Sequence, residues 1–187
     1  MPTKSAPQRD GTEAGSTDPA RMPCPSCGAR LGGRAGCQAV FDDLVAQAWA
    51  NPRRASVHNL LVDAYAMQHS EEYGRSAKSF VAHLVGLCCG VEAPGERELY
   101  WAIPRWLEGP ARLTRPVDIR DRGGVTVESV RKPPQEADFP ELVRRWAGEV
   151  WMAYAEQHEP ARGWLAAVRA ARGRSRAWGR RLPREGR

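Results

Sequence analysis

Residues 56–69 read SVHNLLVDAYAMQH, and the apolar positions of this stretch recur at helical spacing. Val57 and Leu60 begin a stripe along one side of a helix, and Ser56 is a suitable N-cap residue. The helix ends at His69, where a polar, glycine-containing stretch follows. We therefore predict an amphipathic helix that carries a histidine at its far end.

Two further helices flank this one in the sequence. Residues 38–49 carry apolar side chains at helical spacing, and Asn51-Pro52 ends that segment. Ser76 starts a third, broadly apolar helix that stops near Gly90. Three consecutive helices joined by short loops favour an antiparallel arrangement. The predicted fold class is mostly α, an antiparallel helical bundle with an N-terminal cysteine knuckle.

The middle of the chain, residues 92–132, is rich in proline and predicts an irregular segment. Trp101 and Trp106 are its expected anchors in the core. Residues 125–130 alternate in polarity, which fits either a short strand or the start of a helix capped by Thr126.

A Trp-rich helix is expected after this segment. Asp138 and Glu141 have the spacing of a capping box, and Pro140 suits the first turn. We expect this helix to run to Glu159 and a shorter helix to cover residues 161–171.

The length of 187 residues suits one domain, and the distribution of charge divides the chain. Residues 1–22 mix small, polar and charged side chains and predict a disordered leader. Residues 23–171 form the expected single helical metal-binding domain. Residues 172–187 contain seven arginines and one glutamate, so the charge of this segment equals the net charge of +6 of the whole chain. We therefore predict a basic disordered tail.

Hydropathy argues against a membrane protein. The sequence has no apolar run long enough for a transmembrane helix and no charged-then-apolar signal pattern at its start. We therefore expect a cytoplasmic protein with no membrane partner. It also lacks the phosphate-binding loop and the nucleophile elbow, so nucleotide binding and serine hydrolase chemistry have no support.

Cys24 and Cys27 form a C-x-x-C knuckle flanked by proline and glycine. Thiols of a cytoplasmic protein are reduced, and no strand precedes the knuckle, so a metal site is favoured over the rival thioredoxin-type redox pair. Cys37 begins the first helix and His69 ends the second, and the two legs from Arg53 have equal length. Because a helix rises by about 1.5 Å per residue, Cys37 and His69 are expected at the same height along the bundle axis. We predict a closed Cys3His site for structural Zn²⁺, with ligands Cys24, Cys27, Cys37 and His69. The alternative is that His69 only caps the second helix.

A second cluster of polar residues suggests catalysis. His58, Asp63 and His83 lie on neighbouring helices, and His158 follows the Trp-rich helix. Together they could form an open metal site that polarises a carbonyl group or ionises water. The alternative is that each histidine is satisfied by a backbone carbonyl or an acid within the core.

Several of these motifs resemble an uncharacterised bacterial family of small helical proteins over about residues 23–170. They are Cys24-Pro25-Ser26-Cys27-Gly28, Gly36-Cys37, Val62-Asp63-Ala64-Tyr65-Ala66-Met67-Gln68-His69, His83, and a late Trp-rich helix ending in His158. The resemblance implies one functional design that includes Asp63, Gln68, His69, His83 and His158, and it implies no activity. That family often has a histidine pair at the late position, and the first of the pair is Gln157 here.

Three functions follow from these patterns. The first is a zinc-binding helical protein of unidentified activity with a structural site, whose partner is an unknown small molecule or protein. The second is a metal-dependent hydrolase or transferase that uses the histidine-rich pocket. The third is non-specific nucleic-acid binding through the tail, where seven arginines and Trp178 could contact phosphates and a base.

Overall fold

The computed structural model describes residues 18–110, 112–116 and 122–179, with side chains described as far as residue 173. The protein is mostly helical, and no β-strand occurs among these residues, which confirms the predicted fold class. The helices in chain order are α1 (Gly33–Ala50), α2 (Pro52–Ala55), α3 (His58–Gln68), α4 (Ser70–Tyr73), α5 (Ala77–Glu92), α6 (Ala102–Leu107), α7 (Val127–Val130), α8 (Phe139–Ala153) and α9 (His158–Gly179).

Helices α1 and α3 run antiparallel. Cys37, in the first turns of α1, contacts His69 at the end of α3, and Trp49 near the end of α1 packs on His58 at the start of α3. The chain reverses through α2, whose N-cap is Asn51. The ends of both helices therefore meet at two opposite poles, and the cysteine knuckle lies at the pole of His69.

Helices α3 and α5 approach closely at Gly86. The carboxylate of Asp63 occupies the space beside Gly86, and its Oδ1 atom lies 2.9 Å from Nδ1 of His83. Burial raises the pKa of Asp63, while the hydrogen bond with His83 opposes this effect. The pair forms a polar link between two helices that otherwise pack through apolar side chains.

Replacing Gly86 with alanine should destabilise this contact. The new Cβ atom would lie 2.1 Å from Oδ2 of Asp63, whose side chain is buried and held by His83. We expect Gly86→Ala to lower the free energy of unfolding by about 2 kcal/mol, measured by urea denaturation. Gly163→Ala in α9 is the control, because no heavy atom lies within 4 Å of its added Cβ. Similar unfolding curves for the two variants would show that Asp63 can move aside.

Helix α8 packs on α3 and α5 through a buried stripe, and α9 packs on α5 and α6. The buried stripe of α8 consists of Phe139, Pro140, Val143, Trp146, Ala147, Val150 and Trp151. Just after α8, the hydroxyl of Tyr154 donates a hydrogen bond of 2.8 Å to the carbonyl of Met67. The late helices thus complete the core around α3 and α5.

Two predicted side-chain caps are wrong, because each side chain makes its hydrogen bond elsewhere. Ser56 ends α2 and donates its hydroxyl to the carbonyl of Arg53, and α3 starts after Val57. The carboxylate of Asp138 accepts a hydrogen bond from the backbone N–H of Gln135, so it does not cap α8.

The late helices also differ from the prediction. Helix α8 ends at Ala153 instead of Glu159, and α9 begins at His158 after a 3₁₀ turn. Between residues 125 and 130 the helical alternative is correct, since α7 starts at Val127 with Thr126 as its N-cap.

The middle segment, predicted to be irregular, contains the short helices α6 and α7, and only one of its two predicted anchors packs against the core. Trp101 is 78% exposed and does not reach the core, whereas Trp106 is partly buried against it. The buried side chains of this segment are Leu99 and Ile103, which are 1% and 5% exposed. The tryptophan at position 101 is therefore left on the surface.

Residues 1–17 of the predicted leader and 180–187 of the predicted tail lie outside the described residues. The described end of the leader includes a 3₁₀ turn, Pro19–Arg21, which contacts α1. Helix α9 continues to Gly179, past position 172 where the tail was expected to begin. Among the helices of the described part, none is long and apolar enough to cross a membrane.

Candidate metal centre

The cysteine knuckle is a tight turn closed by backbone hydrogen bonds. The N–H of Cys24 donates to the carbonyl of Ala29, and the N–H of Gly28 donates to the carbonyl of Cys24, both at 2.8 Å. Gly28 has φ of +78°, in the left-handed region that glycine adopts without a steric penalty. The turn brings Cys24 and Cys27 to the pole where α1 begins and α3 ends.

Cys37 is positioned by a close approach of the chain to α1. The carbonyl oxygen of Leu31 lies 1.5 Å from the place that a Cβ atom on Gly36 would occupy. Glycine is required there because the obstructing atom belongs to the backbone. The absence of a side chain at Gly36 therefore lets the loop pass directly beside the turn that carries Cys37.

His69 presents one ring nitrogen to the cysteines. Its Nδ1 atom lies 2.8 Å from the carbonyl of Tyr65, which fixes Nδ1 as the protonated donor and leaves Nε2 free to bind a metal. The ring of Tyr65 stacks on the imidazole with centroids 3.9 Å apart, and its hydroxyl contacts Sγ of Cys37 at 3.8 Å. Tyr65 thus orients two candidate ligands at once.

The four predicted ligands lie together. Nε2 of His69 is 3.5 Å from Sγ of Cys24 and 3.5 Å from Sγ of Cys37. Sγ of Cys27 is 3.6 Å from Sγ of Cys37, and all four ligand atoms lie within 4.8 Å of one another. The cysteines are free thiols, and 3.6 Å is far longer than a disulfide bond. The group could hold a metal ion.

The thiols of this group influence one another electrostatically. A hydrogen bond from Cys37 lowers the pKa of Cys27 to about 4, against the effect of burial. The same hydrogen bond, together with burial, raises the pKa of Cys37. Cys27 therefore ionises before Cys37, and the thiolate is the form that binds metal.

An ion-pair network ties the knuckle to α4. Ser26 donates a hydrogen bond to Glu71, as does Arg34 at 2.9 Å, and Arg122 donates to the second oxygen of the same carboxylate. Burial would raise the pKa of Glu71, but the hydrogen bonds from Ser26, Arg34 and Arg122 lower it to about 2. The carboxylate therefore stays ionised near neutral pH and holds the three donors.

Gln68 supports the centre from the side of the core. This fully buried amide donates hydrogen bonds to the carbonyls of Arg122 and Val125 at 2.9 and 2.8 Å. Its oxygen accepts a hydrogen bond of 2.9 Å from the indole of Trp146. Gln68 thus joins the residue before His69 to α8 and to the segment that supplies Arg122.

The other predicted site residues occupy three separate surroundings. His83 pairs with Asp63, whereas His58 lies against Trp49. Nδ1 of His58 is buried and has no hydrogen-bond partner among the described residues, and burial lowers the pKa of this histidine.

His158 stacks on Trp151 with ring centroids 3.9 Å apart, and its Nε2 atom lies 2.8 Å from the carbonyl of Trp151. Within the described ranges, the Cys3His group is the one cluster of three or more side chains that could share a metal ion.

Three contributions to the centre were not found from the sequence. The role of Gly36 could have been suspected, because this glycine directly precedes the candidate ligand Cys37 in the sequence. Tyr65 gave a weaker indication, because it lies one helical turn before His69. The network at Glu71 gave none, since its partners come from segments far apart in the chain.

A protein family model described as a family of unknown function, DUF5946, matches residues 22–155. The match includes the whole metal centre and the helices from α1 to α8, and it ends before α9. No curated protein and no solved structure matches the chain.

Proposed function

The chain belongs to the DUF5946 family, whose function is unknown, and we propose that it is a zinc-binding helical protein with one structural Zn²⁺ ion. The proposed ligands are Cys24, Cys27, Cys37 and His69. A set of three thiolates and one imidazole is a familiar structural zinc environment with no open position for a substrate.

The observation that carries this proposal is the spacing of the ligand atoms. Zn–S bonds of about 2.3 Å and Zn–N bonds of about 2.0 Å in a tetrahedron separate two sulfurs by about 3.8 Å and a sulfur from a nitrogen by about 3.5 Å. The distances here are 3.6 Å between Cys27 and Cys37 and 3.5 Å from His69 to Cys24 and Cys37. These three distances support a single tetrahedral ion at the centre, and the remaining ligand atoms lie within 4.8 Å of one another.

The proposed role of the ion is to fasten the N-terminal loop to the bundle. Its ligands come from the knuckle, the start of α1 and the end of α3. The buried apolar side chains of the knuckle, Cys24 and Ala29, are small, so a metal ion would add a strong cross-link to a limited hydrophobic contact. Free thiols suit a reducing compartment, and we propose the cytoplasm.

The metal-dependent hydrolase or transferase is less well supported. Of its proposed residues His58, Asp63, His83 and His158, only Asp63 and His83 share a described hydrogen bond. That pair links α3 to α5, which accounts for its burial without a catalytic role.

Elemental analysis of the purified protein tests the proposal. We expect about one zinc ion per chain for the wild type and a marked loss of zinc for Cys27→Ser, because three ligands bind more weakly than four. His83→Ala is the matched control, since it removes a histidine outside the Cys3His group, and it should retain the full zinc content.

Two results would contradict the proposal. One is a wild-type protein that contains no zinc after purification with added zinc under reducing conditions. The other is an equal loss of zinc in Cys27→Ser and His83→Ala. A second ion that is lost only in His83→Ala would instead favour the hydrolase or transferase.

A further inference from the structure

The four proposed ligands differ in their access to solvent. Cys27 is partly exposed, whereas Cys24, Cys37 and His69 are 2%, 0% and 0% exposed. A small solute that approaches the metal centre therefore meets Cys27 first. A cysteine is oxidised more readily when it is exposed and when it is a thiolate, and a cysteine that binds a metal ion is a thiolate. Cys27 is thus the point at which an oxidant can attack the centre.

A second sulfur lies close to Cys27. Sγ of Cys37 is 3.6 Å from Sγ of Cys27, so the two atoms need to approach by about 1.5 Å to reach the length of a disulfide bond. Cys27 belongs to the turn before α1, whereas Cys37 lies within α1. The approach therefore needs a movement of the turn and not of the helix.

Cys24 has a different neighbour. Its Sγ atom lies 3.5 Å from Nε2 of His69, and among the described residues no hydrogen bond joins its thiol to that of Cys27. The turn that separates the two cysteines is closed by the backbone hydrogen bonds of Cys24 and Gly28. The geometry therefore favours a bond between Cys27 and Cys37 over one within the C-x-x-C motif.

The two remaining cysteines of the chain serve as an internal reference. Cys88 and Cys89 lie in α5 and are 0% and 1% exposed. Burial raises the pKa of Cys88 to about 12 and that of Cys89 to about 11, so both are protonated thiols at neutral pH. Buried, protonated thiols are inert toward oxidants, so a reaction of the chain with a mild oxidant is confined to the metal centre.

We propose that the metal centre is a redox switch, in which hydrogen peroxide joins Cys27 to Cys37 through a disulfide bond and the zinc ion is released. This inference rests on the proposed zinc site and states how that site is regulated.

The reaction has two steps. The thiolate of Cys27 attacks one oxygen of hydrogen peroxide, so that an S–O bond forms, the O–O bond breaks and a hydroxide ion leaves. The thiolate of Cys37 then attacks the sulfur of this sulfenic acid, so that the S–S bond forms, the S–O bond breaks and a second hydroxide ion leaves. The two sulfurs together lose two electrons, which the peroxide gains, and two protons from the solvent convert the hydroxide ions to water.

The disulfide bond exchanges one cross-link for another. Cys24 and His69 remain as two of the four ligands that a closed zinc site needs, so the ion is no longer held. The knuckle stays joined to α1 through the disulfide bond, but the end of α3 loses its link to both. Oxidation therefore frees the His69 end of α3, which the reduced protein holds through the metal ion.

Treatment of the zinc-loaded, full-length protein with hydrogen peroxide tests the proposal. We expect release of about one zinc ion per chain, detected with a chromogenic chelator, together with the loss of two of the five thiols. Peptide mass spectrometry after alkylation should find a disulfide bond between Cys27 and Cys37, with Cys88 and Cys89 alkylated. A thiol reductant should restore the two thiols and, with added zinc, the bound ion.

Two histidine variants test the role of each cysteine while the number of ligands stays at four. Cys27→His removes the exposed sulfur and leaves a Cys2His2 set, which is also a structural zinc environment. We expect it to release zinc about tenfold more slowly in peroxide. Cys24→His is the matched control, because it keeps both Cys27 and Cys37 and should release zinc at the wild-type rate. The disulfide map of the wild type is decisive where a variant does not load with zinc.

Several results would overturn the switch. They are zinc that stays bound in excess peroxide, zinc release with a disulfide bond between Cys24 and Cys27, oxidation of Cys27 to the sulfinic acid without a disulfide bond, and equal release rates for the two histidine variants. In each of them zinc is bound at the start, so the structural zinc site itself stands. A wild type that contains no zinc would instead contradict the zinc site and the switch together.

Discussion

A chelator that removes the proposed zinc ion should lower the free energy of unfolding by about 4 kcal/mol. A ligand present at about a thousand times its dissociation constant stabilises the folded state by this amount. For a chain of this size the loss corresponds to a decrease of about 10 °C in Tm. Thermal unfolding followed by circular dichroism, with and without chelator, measures it.

Two cysteine variants separate the metal effect from a general effect of the thiols. Cys37→Ser should unfold like the chelated wild type and should not respond further to chelator. Cys88→Ser removes a buried thiol of α5 outside the Cys3His group, so its Tm should still fall when chelator is added. A wild-type Tm that chelator leaves unchanged would be incompatible with a structural ion.

Gly36→Ala should be the most damaging single substitution outside the ligands. Its Cβ would lie 1.5 Å from the carbonyl oxygen of Leu31 and 2.6 Å from the carbonyl carbon, and neither backbone atom can rotate away. The loop must therefore move relative to Cys37. We expect a loss of more than about 3 kcal/mol in the free energy of unfolding together with a loss of zinc, measured by urea denaturation and elemental analysis.

Gly148→Ala in α8 provides the comparison, because no heavy atom lies within 4 Å of its added Cβ. It should keep its zinc, and the gain in helix propensity should raise the stability by up to about 1 kcal/mol. If Gly36→Ala behaved in the same way, the Leu31 carbonyl would have to be free to shift, and the tight path of the loop would not be needed for the metal centre.

The grouping of the four candidate ligands could be anticipated because it depends on regular geometry. The rise of a helix is nearly constant, so two antiparallel helices of equal length bring their first and last residues level. Cys37 and His69 lie together as this calculation predicts, even though the returning segment from Arg53 to His69 is divided into α2 and α3. The C-x-x-C spacing is equally local and needs no knowledge of the remaining fold.

Other features depend on competition or on distant partners, which a local pattern does not reveal. Ser56 is a good capping residue, but Asn51 and Pro52 start the separate helix α2, whose last turn takes the hydroxyl of Ser56. Ser26 and Glu71 are 45 residues apart in the chain. Trp101 is apolar enough to predict burial, but the packing of α9 leaves it at the rim of a groove.

The order of the ligands along the chain has a consequence for biosynthesis. The three cysteines leave the ribosome first, and His69 follows 32 residues after Cys37. Trp146, whose indole binds Gln68, is made 78 residues after Gln68. The proposed metal centre therefore needs only the knuckle, α1 and α3, all of which precede α8 in the chain. Once these parts are in place, Gln68 provides a fixed hydrogen-bond acceptor for the indole of Trp146 in α8.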